Sequence, residues 1–271
     1  MFGSLTRRGF LGLAPGLAAT IPGFGLKAEA TGIGGIDRGA GSDGGAAFPQ
    51  QDEESVKEVV TVAHGNLARV KELVTARPAL ARASWDWGYG DWETPIDAAS
   101  HVGNRPIAEF LIANGARPTL FTAIMMGQLA VVKGLIEASP GLQRTRGPHG
   151  ITCAAHARAG GPAAADVLKY LESLGDADPR YANVPLSAEE ETAIAGEYAF
   201  GPGGGDRLKV VNGARGFTIQ RTGQSERTLF HQGGLVFNPA GAEAVRIEIR
   251  LTPDKTLTVR DGSSVIVARG V

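Results

Sequence analysis

A single cysteine in 271 residues, Cys153, excludes an intrachain disulfide and any cysteine-built zinc site. A dominant charge is missing as well: 27 Lys and Arg stand against 28 Asp and Glu, a formal net charge of −1. Without residues 1–30, where Arg7, Arg8 and Lys27 face Glu29, the balance is −3. No basic surplus exists to neutralise phosphates, so nucleic acid is not an expected partner. The apolar stretch Gly9–Leu26 is interrupted by five Gly and two Pro and makes a poor membrane span. No stable membrane insertion is therefore expected once a leader is removed. Catalytic signatures are absent too, with no Gly-x-Ser-x-Gly elbow. Gly201–Asp206 is glycine-rich but lacks the Lys-Ser/Thr that completes a phosphate loop.

What is abundant is glycine, 39 residues, of which thirteen fall in positions 1–50. Residues 1–30 read as a targeting segment: a basic pair, a weakly apolar stretch and a small-residue site at Ala28-Glu29-Ala30. Thr6-Arg7-Arg8-Gly9-Phe10-Leu11 resembles the twin-arginine export signal, with Gly12 where Lys is usual. The resemblance implies bacterial export of an already folded protein to the periplasm or another extracytoplasmic space, with cleavage after Ala30. An ordinary secretory signal is the alternative. Residues 31–51 read as a flexible Gly-rich linker.

From 52 to 180 the pattern is helical and recurs. Glu93-Thr94-Pro95-Ile96-Asp97-Ala98-Ala99-Ser100-His101-Val102-Gly103, continuing through Ile107–Ala116, closely resembles the ankyrin repeat. Thr94 can cap a helix whose first turn holds Pro95, and Gly103 suits the tight turn between two helices. Further units align on Gly65, Gly127 and Gly161, so about four units are expected. The spacings between these glycines, 38, 24 and 34 residues, depart from the family's regular repeat. They predict an irregular array with fingers at 75–93 and 138–150.

All three Trp lie in the first finger, Trp85-Asp86-Trp87-Gly88-Tyr89-Gly90-Asp91-Trp92. Trp and Tyr dominate binding hot spots, although an enlarged finger also needs aromatics for its own small core. The second finger, Gln143–Gly150, is basic and could line a cleft or pair with the acids of the first. Partner-binding candidates are Trp85, Trp87, Tyr89, Trp92, Arg144, Arg146 and His149. No metal site is expected: His149 and His156 are seven apart, His64 and His101 adjoin separate helix turns, and no His-x-x-x-His or Glu-x-x-His occurs. His101 and His156 read as partly buried helix residues with backbone partners, Asp97 as a helix-start group and Cys153 as an inert buried thiol.

After Pro179 the period changes to two. Eight strands are expected between 196 and 269, separated by Asn212-Gly213, Thr222-Gly223, Gly233-Gly234 and Asp261-Gly262 among other turns. They make an antiparallel meander, curled or closed, over 186–271, with inward residues including Phe217, Ile219, Phe237, Ile247, Val265 and Val267. Ile194-Ala195-Gly196-Glu197-Tyr198 faintly resembles the start of small lipocalin-like domains appended to exported bacterial hydrolases, which implies a non-catalytic module.

The expected fold is α+β and multidomain, an irregular ankyrin-type array followed by a small barrel-like β domain. The expected function is an exported, non-enzymatic protein–protein interaction scaffold with no catalytic residues, cofactor or metal. Alternatives are a small polar-ligand binder, or a hydrolase-like enzyme using His149, His156 and Asp86.

Overall fold

The computed structural model describes residues 50–214 and 216–271. The expected leader and all of the linker but Gln50 and Gln51 lie outside the described residues. Within them the architecture is α+β, with nine α-helices and ten strands, and no helix long and apolar enough to cross a membrane.

Four consecutive helix pairs come first: α1 (Glu53–Val62) with α2 (Leu67–Ala76), α3 (Pro95–His101) with α4 (Arg105–Ala113), α5 (Leu120–Met125) with α6 (Leu129–Ala138), and α7 (Cys153–Ala159) with α8 (Ala165–Leu174). Short polar side chains begin most of them. Asp52, Asn66, Thr94, Asn104, Thr119 and Thr152 each accept a hydrogen bond from a first-turn N–H that has no partner within its helix. The apolar faces bury Val59, Val70, Ile96, Ile107 and Leu111 in one core and Ile124, Val132, Cys153, Val167 and Leu171 in another.

The first helices of the pairs do not run in single file. α1 packs on α3 and α3 on α5, but α7 packs on both α5 and α3. Two glycines permit that approach. A Cβ on Gly103 would lie 2.0 Å from the Ala159 carbonyl oxygen, and one on Gly127 would lie 1.9 Å from that of Ala163. No side chain fits at either place, and the positive φ of each turn also favours glycine.

A two-stranded hairpin, β1 (Trp85–Asp86) and β2 (Trp92–Glu93), precedes α3. After α9 (Ala188–Ile194), strands β3 (Gly196–Phe200), β4 (Asp206–Gly213), β5 (Gly216–Arg221), β6 (Arg227–Gly233), β7 (Val236–Pro239), β8 (Arg246–Arg250), β9 (Thr256–Asp261) and β10 (Ser264–Gly270) form a closed antiparallel barrel. Each pairs with the next, and β10 closes on β3. Closure leaves no free sheet edge. Tyr198, Ile219, Phe237, Ile247 and Leu257 fill the interior. Val265 and Val267 correct the expected core: Ala268 sets the inward phase of β10, and the two valines, an odd number of residues away, face outward, 46% and 55% exposed.

Array and barrel meet at glycine-lined contacts. A Cβ on Gly241 would lie 3.0 Å from both the His149 Cα and the Gly150 nitrogen, and one on Gly150 would lie 2.2 Å from the Tyr181 hydroxyl. Arg146 stacks on Tyr181 at 3.9 Å and reaches Glu243 at 3.4 Å, while Tyr89 at the hairpin tip packs against the barrel core.

Candidate metal centre

His64 lies just past α1, His101 ends α3, His149 sits in the turn before α7, and Glu93 ends β2. Their ligand-type atoms all fall within 4.8 Å of one another. Glu93 Oε1 is 2.9 Å from His101 Nε2, 3.4 Å from His149 Nε2 and 3.7 Å from His64 Nε2; the His64 and His101 Nε2 atoms are 3.1 Å apart. Ligands about 2.05 Å from a tetrahedral zinc ion stand roughly 3.3 Å from each other, and these four separations bracket that value.

The other ring nitrogens explain why the Nε2 atoms converge. His64 Nδ1 lies 3.0 Å from Thr61 O and 3.2 Å from Val60 O, so it carries the hydrogen and donates. His149 Nδ1 lies 2.7 Å from Asp91 Oδ2 and donates to that carboxylate. Both rings therefore turn Nε2 inward, toward the lone pairs of Glu93, where it can hold either a proton or a metal ion. Glu93 is itself oriented, its Oε2 accepting from Trp87 Nε1 at 2.7 Å. Such hydrogen bonds to a carboxylate or carbonyl are what hold metal-binding imidazoles in one tautomer and direction.

The backbone around the centre is shaped to suit. Asp91 and Glu93, two apart on an extended segment, share a face, and both are buried. His149 has φ 61°, a left-handed conformation uncommon outside glycine. Asp91 holds it there by accepting from the His149 backbone N–H at 2.9 Å as well as from its ring. Arg227 of β6 forms an ion pair with Asp91 and is nearly as buried, so a barrel residue completes the chain Arg227–Asp91–His149.

Electrostatics point the same way. Burial alone would raise the Glu93 carboxyl, but hydrogen bonds from His101 and His149 outweigh it and bring it to about 2. Burial likewise opposes a charged His149, yet Asp91 and Glu93 overcome it and push that imidazole up to about 9. The cluster is a place that favours positive charge.

The partner-binding candidates are placed differently from one another. His149 joins the cluster. Trp87 does not project as a free anchor, because its indole N–H is committed to Glu93 and its ring packs on the array core. Tyr89, carried by a tip in which Gly88, Tyr89 and Gly90 all have positive φ, turns into the barrel rather than into solvent. Trp85 is half-buried, with the Lys57 ammonium 5.5 Å from its ring, and Trp92 is 60% exposed. The two fingers do not pair through their arginines: Arg144 binds Asp176, and Arg146 binds Glu243 and the Pro179 carbonyl. They pair through His149 and Asp91.

The alternative enzymatic trio is not assembled. Asp86 accepts from the Gly88 N–H at 2.8 Å, and His156 stacks on Phe121 with its Nδ1 donating to Thr152 O at 2.8 Å. His101 differs from its expected backbone pairing, facing Glu93 and His64 instead. Asp97 and Cys153 match their readings: Asp97 accepts from Thr94 and Thr119, and Cys153 is buried with its thiol pushed up to about 12 by burial.

Sequence spacing missed the cluster because its members come from three separate units and a hairpin. A signal was nonetheless present. His64, His101 and His149 each stand one or two residues before a turn glycine, at Gly65, Gly103 and Gly150. Compared with protein-family models, with curated proteins and with solved structures, the chain finds no match.

Proposed function

We propose that this protein binds one divalent transition-metal ion of the zinc class through His64, Glu93, His101 and His149. The observation that carries the reading is the tautomer lock: hydrogen bonds on the far side of His64 and His149 leave both Nε2 atoms facing a buried carboxylate. In the metal-free chain protons fill that space, with His101 and His149 donating to Glu93, and a metal ion would take their place. Three imidazoles and a carboxylate suit zinc and its neighbours rather than calcium or magnesium, which take oxygen donors. We read the four helix pairs as ankyrin-type units, curled by the short Gly103–Gly127 spacing so that α7 reaches α3. In that curl His149 lies beside His101.

The test is zinc titration by calorimetry on the full chain, with Glu93→Gln and His101→Ala beside it. One tightly bound ion per chain, lost in both variants while their far-UV spectra persist, supports the reading. Unchanged zinc binding in both variants, or none in the wild type, overturns it.

A second reading rests on Trp92, which is 60% exposed at the rim of a cavity of about 710 Å³ lined also by Trp85, Tyr89, Phe200 and Ile266. It makes the chain an exported interaction scaffold, with export resting on the Arg7-Arg8 motif and recognition on this rim. Affinity capture from periplasm with wild type and Trp92→Ala tests it. A protein held by the first and lost by the second supports a scaffold, and equal recovery by both removes Trp92 from the interface.

A further inference from the structure

The four metal-ligating side chains are not equally covered. Glu93 is fully buried and His101 is 9% exposed, whereas His64 and His149 are 32% and 30% exposed. The exposed pair forms one wall of a cavity of about 340 Å³, whose other walls are Trp87, Ala240 and the Ser225–Thr228 segment entering β6. At about 30 Å³ per water molecule, the space holds on the order of ten waters. A structural zinc site is closed by its protein ligands, and a site that does chemistry keeps a position open to solvent. Here one side of the cluster is sealed in the array and the other opens on a chamber of mixed lining.

The charges around that chamber favour an anionic oxygen donor. A divalent ion with Glu93 keeps one net positive charge. Arg227 and Asp91 cancel as an ion pair. Glu226, the remaining acid in the lining, is exposed at the rim, with its carboxylate accepting from Thr218 Oγ1 at 3.4 Å. Ser225 and Thr228, each with a hydroxyl able to donate, line the same wall. Trp87 cannot enter as a ligand, because its indole N–H is bonded to Glu93.

Resting on the metal reading above, we infer that the ion expands to a fifth, exchangeable position facing this chamber, held by water at rest and taken by a small oxyanion, a carboxylate or a phosphate. The ion binds the oxyanion directly, and Ser225 and Thr228 donate to its outer oxygens. Bound water at such a position is acidified by the ion, which makes the same place a source of hydroxide near neutral pH.

Cobalt(II) reports coordination through its visible absorption, so the experiment uses the full chain loaded with cobalt and freed of excess metal. Acetate and phosphate are titrated separately, with azide as a small reference anion. Saturable changes in the cobalt bands with acetate or with phosphate support the inference, and the responding arm identifies the oxyanion class. The double variant Ser225→Ala, Thr228→Val binds that oxyanion about tenfold more weakly while its cobalt affinity is unchanged, since two hydrogen bonds are lost and no ligand is. Cobalt bands that ignore all three anions overturn the open position and leave the metal reading standing. A response to azide alone overturns the oxyanion class, and a chain that takes up no cobalt overturns both readings.

Discussion

The helical array and the barrel differ in what they bury. Asp91, Glu93, Asp97, Ser100, Thr122, Thr152 and His156 are buried among the helices and their hairpin, whereas the barrel buries Arg227 and His231. Burying a polar group is costly unless it is hydrogen-bonded, so such groups gather where partners can be supplied. In the array they are supplied by helix starts, by the extended Asp91–Glu93 segment and by His64, His101 and His149. The barrel satisfies its backbone within its own ladder and fills its interior with aliphatic and aromatic side chains. The array holds the histidine–carboxylate cluster. The barrel is a stable wall that lends it one arginine and one side of a chamber.

The sharpest way to break this contrast is to damage the barrel alone. Phe237 is fully buried in the barrel core, and Phe237→Ala should cost about 3–5 kcal/mol. Urea unfolding followed by far-UV dichroism should then show the barrel melting ahead of the helices. Loss of both at one midpoint would mean that the two cores are not separate.

A pH experiment tests the array in turn. His156 is buried against Phe121, and burial brings its imidazole down to about 4 from 6.5. The unfolded chain therefore binds a proton that the folded one refuses between those values. The stability from a neutral His156 is present above pH 6.5 and is lost as pH falls toward 4, roughly 3 kcal/mol in all. Thermal unfolding of wild type and His156→Leu across this window should diverge, with the wild type losing more. Parallel curves would contradict the assignment.

The fold was legible where physics is local. In the barrel, alternation and turn pairs marked eight strands, and Val265 and Val267 were misplaced because a uniformly apolar run carries no phase. In the array, the helix start at Thr94 was readable from capping chemistry. The centre was not, because His64, His101 and His149 are tens of residues apart and meet only through the approach of α7 to α3. That approach depends on glycines whose importance lies in what touches them, at Gly103 and Gly127, and no window of sequence holds that information. Asp91 and Glu93 looked like ordinary finger acids for the same reason.

Asp91→Asn keeps the shape but weakens the grip on His149, and zinc affinity should fall about 10–100-fold by calorimetry. An unchanged affinity would leave the Arg227–Asp91 pair a mere clasp between array and barrel. Trp92→Ala removes an exposed ring from the same hairpin and should shift stability by no more than about 0.5 kcal/mol. A larger loss in urea would mean that the ring packs in solution.

X-ray absorption at the zinc edge of the zinc-loaded full chain tests most directly whether the cluster is a metal centre. The predicted spectrum contains three imidazole nitrogens, the Glu93 carboxylate oxygen and the exchangeable water oxygen at about 2.0–2.2 Å, and the imidazole scattering diminishes in His101→Ala. A shell of oxygen atoms with no imidazole, the same in wild type and variant, would contradict it.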